Sequence, residues 1–275
     1  MTLRLAGLLR WYADMGVDIA IDAMPHDRFA EIPANGEVAL DARQPAPVPP
    51  SAGEAGRRFM REAPPALTAG AIEAAALGSA ATAQNLDDLR DSLSRFEGCG
   101  LKATATRLVF GDGNPDAEIM FVGEAPGADE DRQGVPFVGR AGQLLDKMLA
   151  SIDLDRSKVY IANVVPWRPP GNRTPTPLET AACLPFTRRQ IELVNPKILI
   201  CLGAAAAQTL LGTKEGIMRM RGRWLSYMVG GKDIRAAALL HPAYLLRQPA
   251  QKRLAWQDLR MLAKEIKRLQ LFGND

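Results

Sequence analysis

Cysteine is scarce in this chain: Cys99, Cys183 and Cys201 are the only three in 275 residues. So sparse and odd a count argues against a disulfide framework and fits a reducing compartment, so a cytoplasmic location is expected. No apolar run approaches the ~18 residues of a membrane span, and no membrane partner is expected. The opening MTLRLAGLLRWYADMG has only a short apolar part, and no small-residue cleavage site follows it, which argues against a signal peptide. Histidine is nearly absent too: His26 lies in the N-terminal part and His241 far along the chain. Nucleotide-binding signatures are missing. No Walker-type Lys-Ser/Thr and no GxGxxG turn opens a helix in the loops discussed below, which weakens the reading of a phosphate-binding α/β protein.

What is present is the composition of an ordinary globular protein, 47% hydrophobic and 24% charged. The net charge of +3 is unevenly spread. Residues 1–85 hold seven basic and ten acidic side chains, while the remainder holds 27 and 21, a surplus of six positive charges. A solvated surface accounts for this, and so does contact with a polyanion. Residues 1–30 read as one or two helical segments broken near Gly16 and Pro25. From about Gln44 to Ala83 the chain is rich in Ala, Pro and Gly and offers few large side chains to bury. Much of it is expected to be a mobile linker, with short helices admissible near Arg57–Arg61 and Ile72–Leu77.

Order is expected from near Asn85, so the domains divide as a partly helical N-terminal extension, 1–84, and a folded domain, 85–275. Leu86, Leu89, Leu93 and Phe96 fall at helical spacing. Beyond them short apolar runs alternate with amphipathic stretches. The strands are expected at Glu118–Val122, Lys158–Val165, Lys197–Leu202 and Ala236–Leu240. The helices are expected at Gly139–Ile152, Pro177–Val194, Ala204–Leu211 and Arg247–Phe272. The predicted fold is a three-layer α-β-α sandwich around a central, mainly parallel four-stranded sheet, plus a flexible N-terminal extension. In such sheets the site lies at the carboxyl ends of the strands.

Three polar stretches fall at those ends. The first, FVGEAPGADEDRQGVPFVGRAG from Phe121 to Gly142, opens like a phosphate loop but carries Glu124, Asp129, Glu130 and Asp131. The second is Asn163 with PWRPPGNRTPTP after it, and the third is HPAYLLR, from His241 to Arg247. A histidine capping a strand end explains His241 as readily as a functional one does. Asn163 is either an amide satisfying buried backbone or a donor–acceptor fork for a base edge. Phe137 is either core packing or a stacking face.

Together these stretches resemble family 4 of the uracil-DNA glycosylase superfamily. The resemblance rests on VFGDGNPDAEIMFVGEAPGADEDRQGVPFVGRAGQLLDKML, YIANVV, RPPGNRTPTPLE, PKILICLGAAAAQTLLG and HPAYLLR, in that order, from about Asn85 onward. It implies a monofunctional, DNA-repairing hydrolase that cleaves the N-glycosidic bond of uracil in DNA, leaves an abasic site, and flips the base out first. Gly123, Glu124, Ala125, Pro126 and Gly127 then shape the base site, and Phe137 stacks on the base. Asn163 reads the base edge, and His241 stands near uracil O2. Leu245, Leu246 and Arg247 enter the minor groove, with Arg168 and Arg140 as further DNA contacts. Glu124 is favoured as the residue that positions water, with Asp129 and Asp131 as helix-turn caps. The expected partner is DNA containing uracil or other deaminated bases, and a monomer is expected.

The chain departs from the family where that family holds a [4Fe–4S] cluster through four cysteines. The second and fourth positions are Cys99 and Cys183, but Phe96 and Trp167 occupy the first and third. Two thiolates do not hold such a cluster, so no cofactor and no metal are expected, with the two aromatic rings filling the volume. Cys201 reads as a small core residue. Pro166 replaces the family's lysine, which opens the question of hypoxanthine or xanthine as substrates. The superfamily's covalent uracil-DNA trap needs an inserted loop with a histidine, and PWRPPGNRTPTP has neither. The alternative to an enzyme is a non-catalytic or weakly catalytic uracil-DNA-binding module.

Overall fold

Alternate residues along four short apolar strands bury opposite faces, and that alternation builds the two halves of the core. A computed structural model describes residues 68–272, all within one unit spanning Ala63–Asp275. The helical expectations for residues 1–30 and for Arg57–Arg61 lie outside the described residues. In chain order the helices and strands are α1 (Ala69–Ala81), α2 (Leu86–Arg95), β1 (Asp112–Gly113), β2 (Ile119–Gly123), α3 (Ala128–Gln133), α4 (Arg140–Ala150), β3 (Tyr160–Asn163), α5 (Pro177–Val194), β4 (Ile198–Leu202), α6 (Ala204–Leu211), α7 (Ile217–Met220), β5 (Leu225–Val229), β6 (Lys232–Leu239), α8 (Pro242–Arg247) and α9 (Lys252–Leu269).

The sheet runs β1-β3-β2-β4-β6-β5. Its four inner strands are parallel and are the four expected from the sequence, whereas β1 and β5 add antiparallel edges. The sheet is therefore six-stranded rather than four-stranded. Ile119 and Phe121 of β2 face a core with Leu145 and Leu149 of α4 and Leu259 and Leu262 of α9. Met120 and Val122 face the other side, with Phe186 of α5, Ala206 and Leu210 of α6, and Leu89 and Leu93 of α2. Each fully buried Leu, Ile or Phe contributes about 1.5–3 kcal/mol relative to exposure.

Helix ends follow local chemistry. Thr176 caps α5 in a capping box with Glu179, Pro177 takes the first turn, and Asn195 ends the helix at φ 51°. The segment expected to be a linker as far as Ala83 is corrected in part. Helix α1 extends well beyond the short helix admitted at Ile72–Leu77, and Ile72, Ala76 and Ala80 are buried in the same core as α5. Both Arg189 Nε and Nη2 donate to the Ala83 carbonyl, at 3.2 and 2.7 Å. Apart from Ile72, the side chains that α1 buries are small alanines, which is why composition concealed the contact. The helix expected over Arg247–Phe272 is shorter: Arg247 ends the separate α8, and α9 runs from Lys252 to Leu269 after a 3-10 turn containing Pro249.

Candidate active site

The chain leaves β2 for β3 on one side of it and later returns to β4 on the other, so the crevice at the carboxyl ends opens between β2 and β4. There Gly123 of β2 pairs with Asn163 of β3, and the backbone continues to Gly203 after β4 and His241 after β6. These four ends border one cleft of about 630 Å³, whose walls include Glu124, Phe137, Asn163, Gly203, Gln208 and His241. The three polar stretches separated in sequence thus meet on one edge. Ala125, Pro126 and Gly127 line the same cleft.

Close approach explains Gly123. A Cβ there would stand 2.5 Å from Asn163 Oδ1 and 2.6 Å from the Phe137 ring, so the asparagine and the aromatic ring meet over bare backbone. The turn is then tied to the strand next door, with Val164 N–H donating to the Gly123 carbonyl and Val165 N–H to that of Glu124, each at 2.9 Å.

The four carboxylates of the loop separate by their partners. Asp129 pairs with Arg132 on the surface. Asp131 is buried and accepts from Thr106 N–H and Oγ1, both at 2.8 Å, and from Arg107 N–H at 3.3 Å. Glu130 accepts from three backbone amides: Gly127 at 3.0 Å and Val138 and Gly139 at 2.9 Å each. The expectation that Asp129 and Asp131 cap the turn is corrected, since Glu130 is the capping residue of α3. Glu124 differs from all three. Its Oε1 is buried with no hydrogen-bond partner among the described residues, and burial raises its pKa above the ordinary carboxylate value. Asn163 Oδ1 is likewise buried without a partner among the described residues.

His241 is the N-cap of α8, and its Nδ1 accepts from Ala243 N–H at 3.1 Å. A ring nitrogen that accepts carries no proton, so in the neutral imidazole the proton sits on Nε2. Burial, and then the charge of Arg247, push the His241 pKa down to about 4, so the ring is neutral at pH 7. Its centroid is 5.6 Å from that of Phe137, with the planes tilted by 33°.

The residues expected at the DNA surface are less uniform. Arg247 is exposed and borders the cleft, and Leu246 is partly exposed. Leu245 is corrected: it is only 1% exposed and packs into the α4–α9 core, because the helical phase of α8 turns it inward. Arg140 is exposed at the start of α4, and the Arg168 Nε donates to Asn172 Oδ1 at 2.7 Å. Neither borders the cleft. Arg173 does, held by two bonds to the Glu179 carboxylate at 2.8 and 2.6 Å. The sequence reading missed Arg173, Gly203 and Gln208. For Gly203 the signal was a second strand–glycine–helix junction, KILICLGAAAA.

On the other side of Asn163 lies a filled layer. Cys183 and Phe186 of α5 border, with Asn163 itself, a void of only about 10 Å³. The Cys99 and Cys183 sulfurs stand 3.7 Å apart, both buried, with the Cys183 thiol donating to Cys99. That bond lowers the pKa of Cys99 and raises that of Cys183 well above the ordinary thiol value. Phe96 is 8% and Trp167 3% exposed, and the Phe96 and Phe186 rings lie 5.0 Å apart. Two thiols and two aromatic rings are not the donor set of a four-thiolate cluster. Among the described residues, no group of three or more His, Cys, Asp or Glu side chains is placed to hold a metal ion, and no helix is long and apolar enough to cross a membrane.

Comparison with known proteins adds the lineage. A family model described as the uracil DNA glycosylase superfamily matches residues 110–260. A type-4 uracil-DNA glycosylase of Archaeoglobus fulgidus is 45% identical over 170 residues, covering 60% of this chain and 85% of that protein. One from Thermotoga maritima is 41% identical over 186 residues, covering 66% and 95%. A type-5 uracil-DNA glycosylase of Thermus thermophilus is 35% identical over 120 residues, covering 38% and 54%. The match reaches from the start of the sheet into α9 and takes in every strand end that borders the cleft, and on it the chain belongs to the uracil DNA glycosylase superfamily.

Proposed function

We propose that the protein is a monofunctional uracil-DNA glycosylase acting in DNA repair. Water adds to C1′ of the deoxyribose, the C1′–N1 bond breaks, and uracil leaves as an anion that is then protonated, with an abasic site remaining in DNA. The observation that carries this reading is the convergence of Glu124, Asn163 and His241 on one cleft.

The chemistry follows from the charges that develop. Negative charge grows on the departing ring, and His241 offers a neutral Nε2–H donor held in place by the Ala243 amide. A preorganised donor of this kind is worth on the order of 10²–10³ in rate. Positive charge grows on the sugar, and the unpartnered Glu124 carboxylate orients water towards C1′ and steadies that charge. Asn163 presents an amide whose oxygen accepts from N3–H and whose nitrogen donates to O4, a pattern that fits uracil. Phe137 stacks on the flipped base. Gly123 with Ala125, Pro126 and Gly127 shapes the pocket wall. Arg247, with Arg140 and Arg168 farther out, contacts phosphate, and Leu246 fills the vacated stack. Among the described residues no lysine borders the cleft, so the reading includes no Schiff base and no cleavage of the sugar–phosphate strand.

The protein works without an iron–sulfur cluster in this reading, because Phe96 and Trp167 stand where two ligands are needed. Purified protein is expected to show no visible absorption band and no stoichiometric iron or sulfide. Glu124, Asn163 and His241 all come from one chain, and the active species in this reading is a monomer.

The test is excision from uracil-containing single- and double-stranded oligonucleotides, followed by alkali. Alkali-dependent cleavage and release of free uracil are expected. Tight binding without release would leave a uracil-DNA-binding module instead. A panel including hypoxanthine and xanthine sets the range of bases in the same assay.

A further inference from the structure

Phe137 has a backbone conformation that its side chain does not favour. Its φ is 55°, in the left-handed region that an L-residue with a Cβ rarely adopts. Such conformations persist where the surroundings over-determine them. Two charged side chains supply that constraint, one on each side of the residue.

Glu130 grips the chain just after the ring. Its Oε1 accepts from both Val138 and Gly139 N–H, at 2.9 Å each, while its Oε2 accepts from Gly127 N–H at 3.0 Å. The last of these is ordinary helix capping of α3. The first two are not, because they tie the pocket's opening turn to the loop that carries Phe137. Arg156 grips the chain at and before the ring. It donates to the Pro136 carbonyl at 3.1 Å and to that of Phe137. Its guanidinium is fixed in turn by Asp112 at 2.7 Å and Asp146 at 2.8 Å. The first turn of α4 leaves room for this arrangement, since a Cβ on Gly142 would lie 1.6 Å from the Phe137 carbonyl oxygen.

We propose that Glu130 and Arg156 are positioning residues, holding the main chain on both sides of Phe137 so that its ring is set against the base before DNA binds. The inference rests on the stacking reading of Phe137. A carboxylate suits the Glu130 position because it accepts at both oxygens and donates at neither. A glutamine amide puts an N–H against an N–H in either orientation. Arginine suits position 156 because its fork reaches two carbonyls and two carboxylates at once, which a lysine does not.

The test is a double-mutant cycle in single-turnover excision of uracil. Glu130→Gln is expected to slow the step roughly tenfold or more, as displacement of a stacking group does. Affinity for uracil-free DNA should stay within about twofold, because the ring contacts only the flipped base. In a Phe137→Leu background the same change should cost under about twofold. Arg156→Lys serves as an independent second arm with the same pattern and keeps the charge if Glu130→Gln folds poorly. A full tenfold loss persisting in the Phe137→Leu background, in either arm, overturns the proposal and leaves the stacking reading intact. A Phe137→Leu variant as fast as the unaltered protein removes the stacking reading itself, and the proposal with it.

Discussion

Asn163 borders two regions with opposite contents. In the cleft on one side, Glu124 and Asn163 keep oxygens, and His241 its Nε2, without a partner among the described residues, and about 630 Å³ stays open. In the layer on the other side, Cys183, Phe186 and their neighbours leave only about 10 Å³, and Phe96, Trp167 and Cys99 belong to the same core. The polar groups of the cleft are held ready by a matrix that has almost no slack. Changes in the packed layer should therefore cost stability and spare the chemistry of the molecules that still fold, while changes in the cleft should do the reverse.

The largest expected effect is in the packed layer. Trp167→Ala should lose about 3–5 kcal/mol of stability, the usual cost of emptying a large buried site. Urea unfolding measures this, and the single-turnover rate per folded molecule should move only a few-fold. Next comes His241→Ala, expected to slow excision by about 10²–10³ with the unfolding midpoint little changed. Equal losses in both measurements would erase the contrast between the two regions.

Glu124→Gln should have a smaller effect on rate at neutral pH, roughly tenfold to a hundredfold, and a distinctive one on its pH dependence. Burial raises the pKa of Glu124, so its ionised, water-orienting form is lost as pH falls through a value above the ordinary carboxylate range. His241 stays neutral down to about 4. The acid limb of the unaltered protein should then belong to Glu124. In the glutamine variant it should move down towards pH 4, where protonation of His241 takes over. A limb that stays in place would remove Glu124 from the water-positioning role. Smallest is Arg247→Ala, which should weaken DNA binding and flatten its logarithmic salt dependence by about 0.7–0.9, one phosphate contact. Affinity titrations at several salt concentrations read that slope.

The parallel sheet and the convergence of the cleft were legible because their signals are local. Pro177–Val194 and Ala204–Leu211 have the bounds expected from the sequence, since a Thr-Pro start or a flanking glycine marks their ends. The antiparallel edge at β5 was also marked, by Gly230–Gly231 at positive φ between Val229 and Lys232, a hairpin turn that went unread. The inward phase of Leu245 and the docking of the alanine-rich α1 were not legible. Both depend on which neighbour a helix meets, and no periodicity in HPAYLLR or AGAIEAAALGSAA announces it. The division of labour among the four carboxylates was hidden for the same reason. Neighbours in sequence, Asp129, Glu130 and Asp131 point to three different sets of partners.

The unpartnered oxygen of Asn163 has a consequence for how hardy this protein can become. A buried acceptor left unsatisfied costs about 1–3 kcal/mol, and in the proposed reading a base carrying an N–H offsets that cost. If Asn163 reads the base as proposed, selection for endurance and selection for discernment pull position 163 in contrary directions: a substitution that toughened the molecule against heat would also blunt its choice between bases.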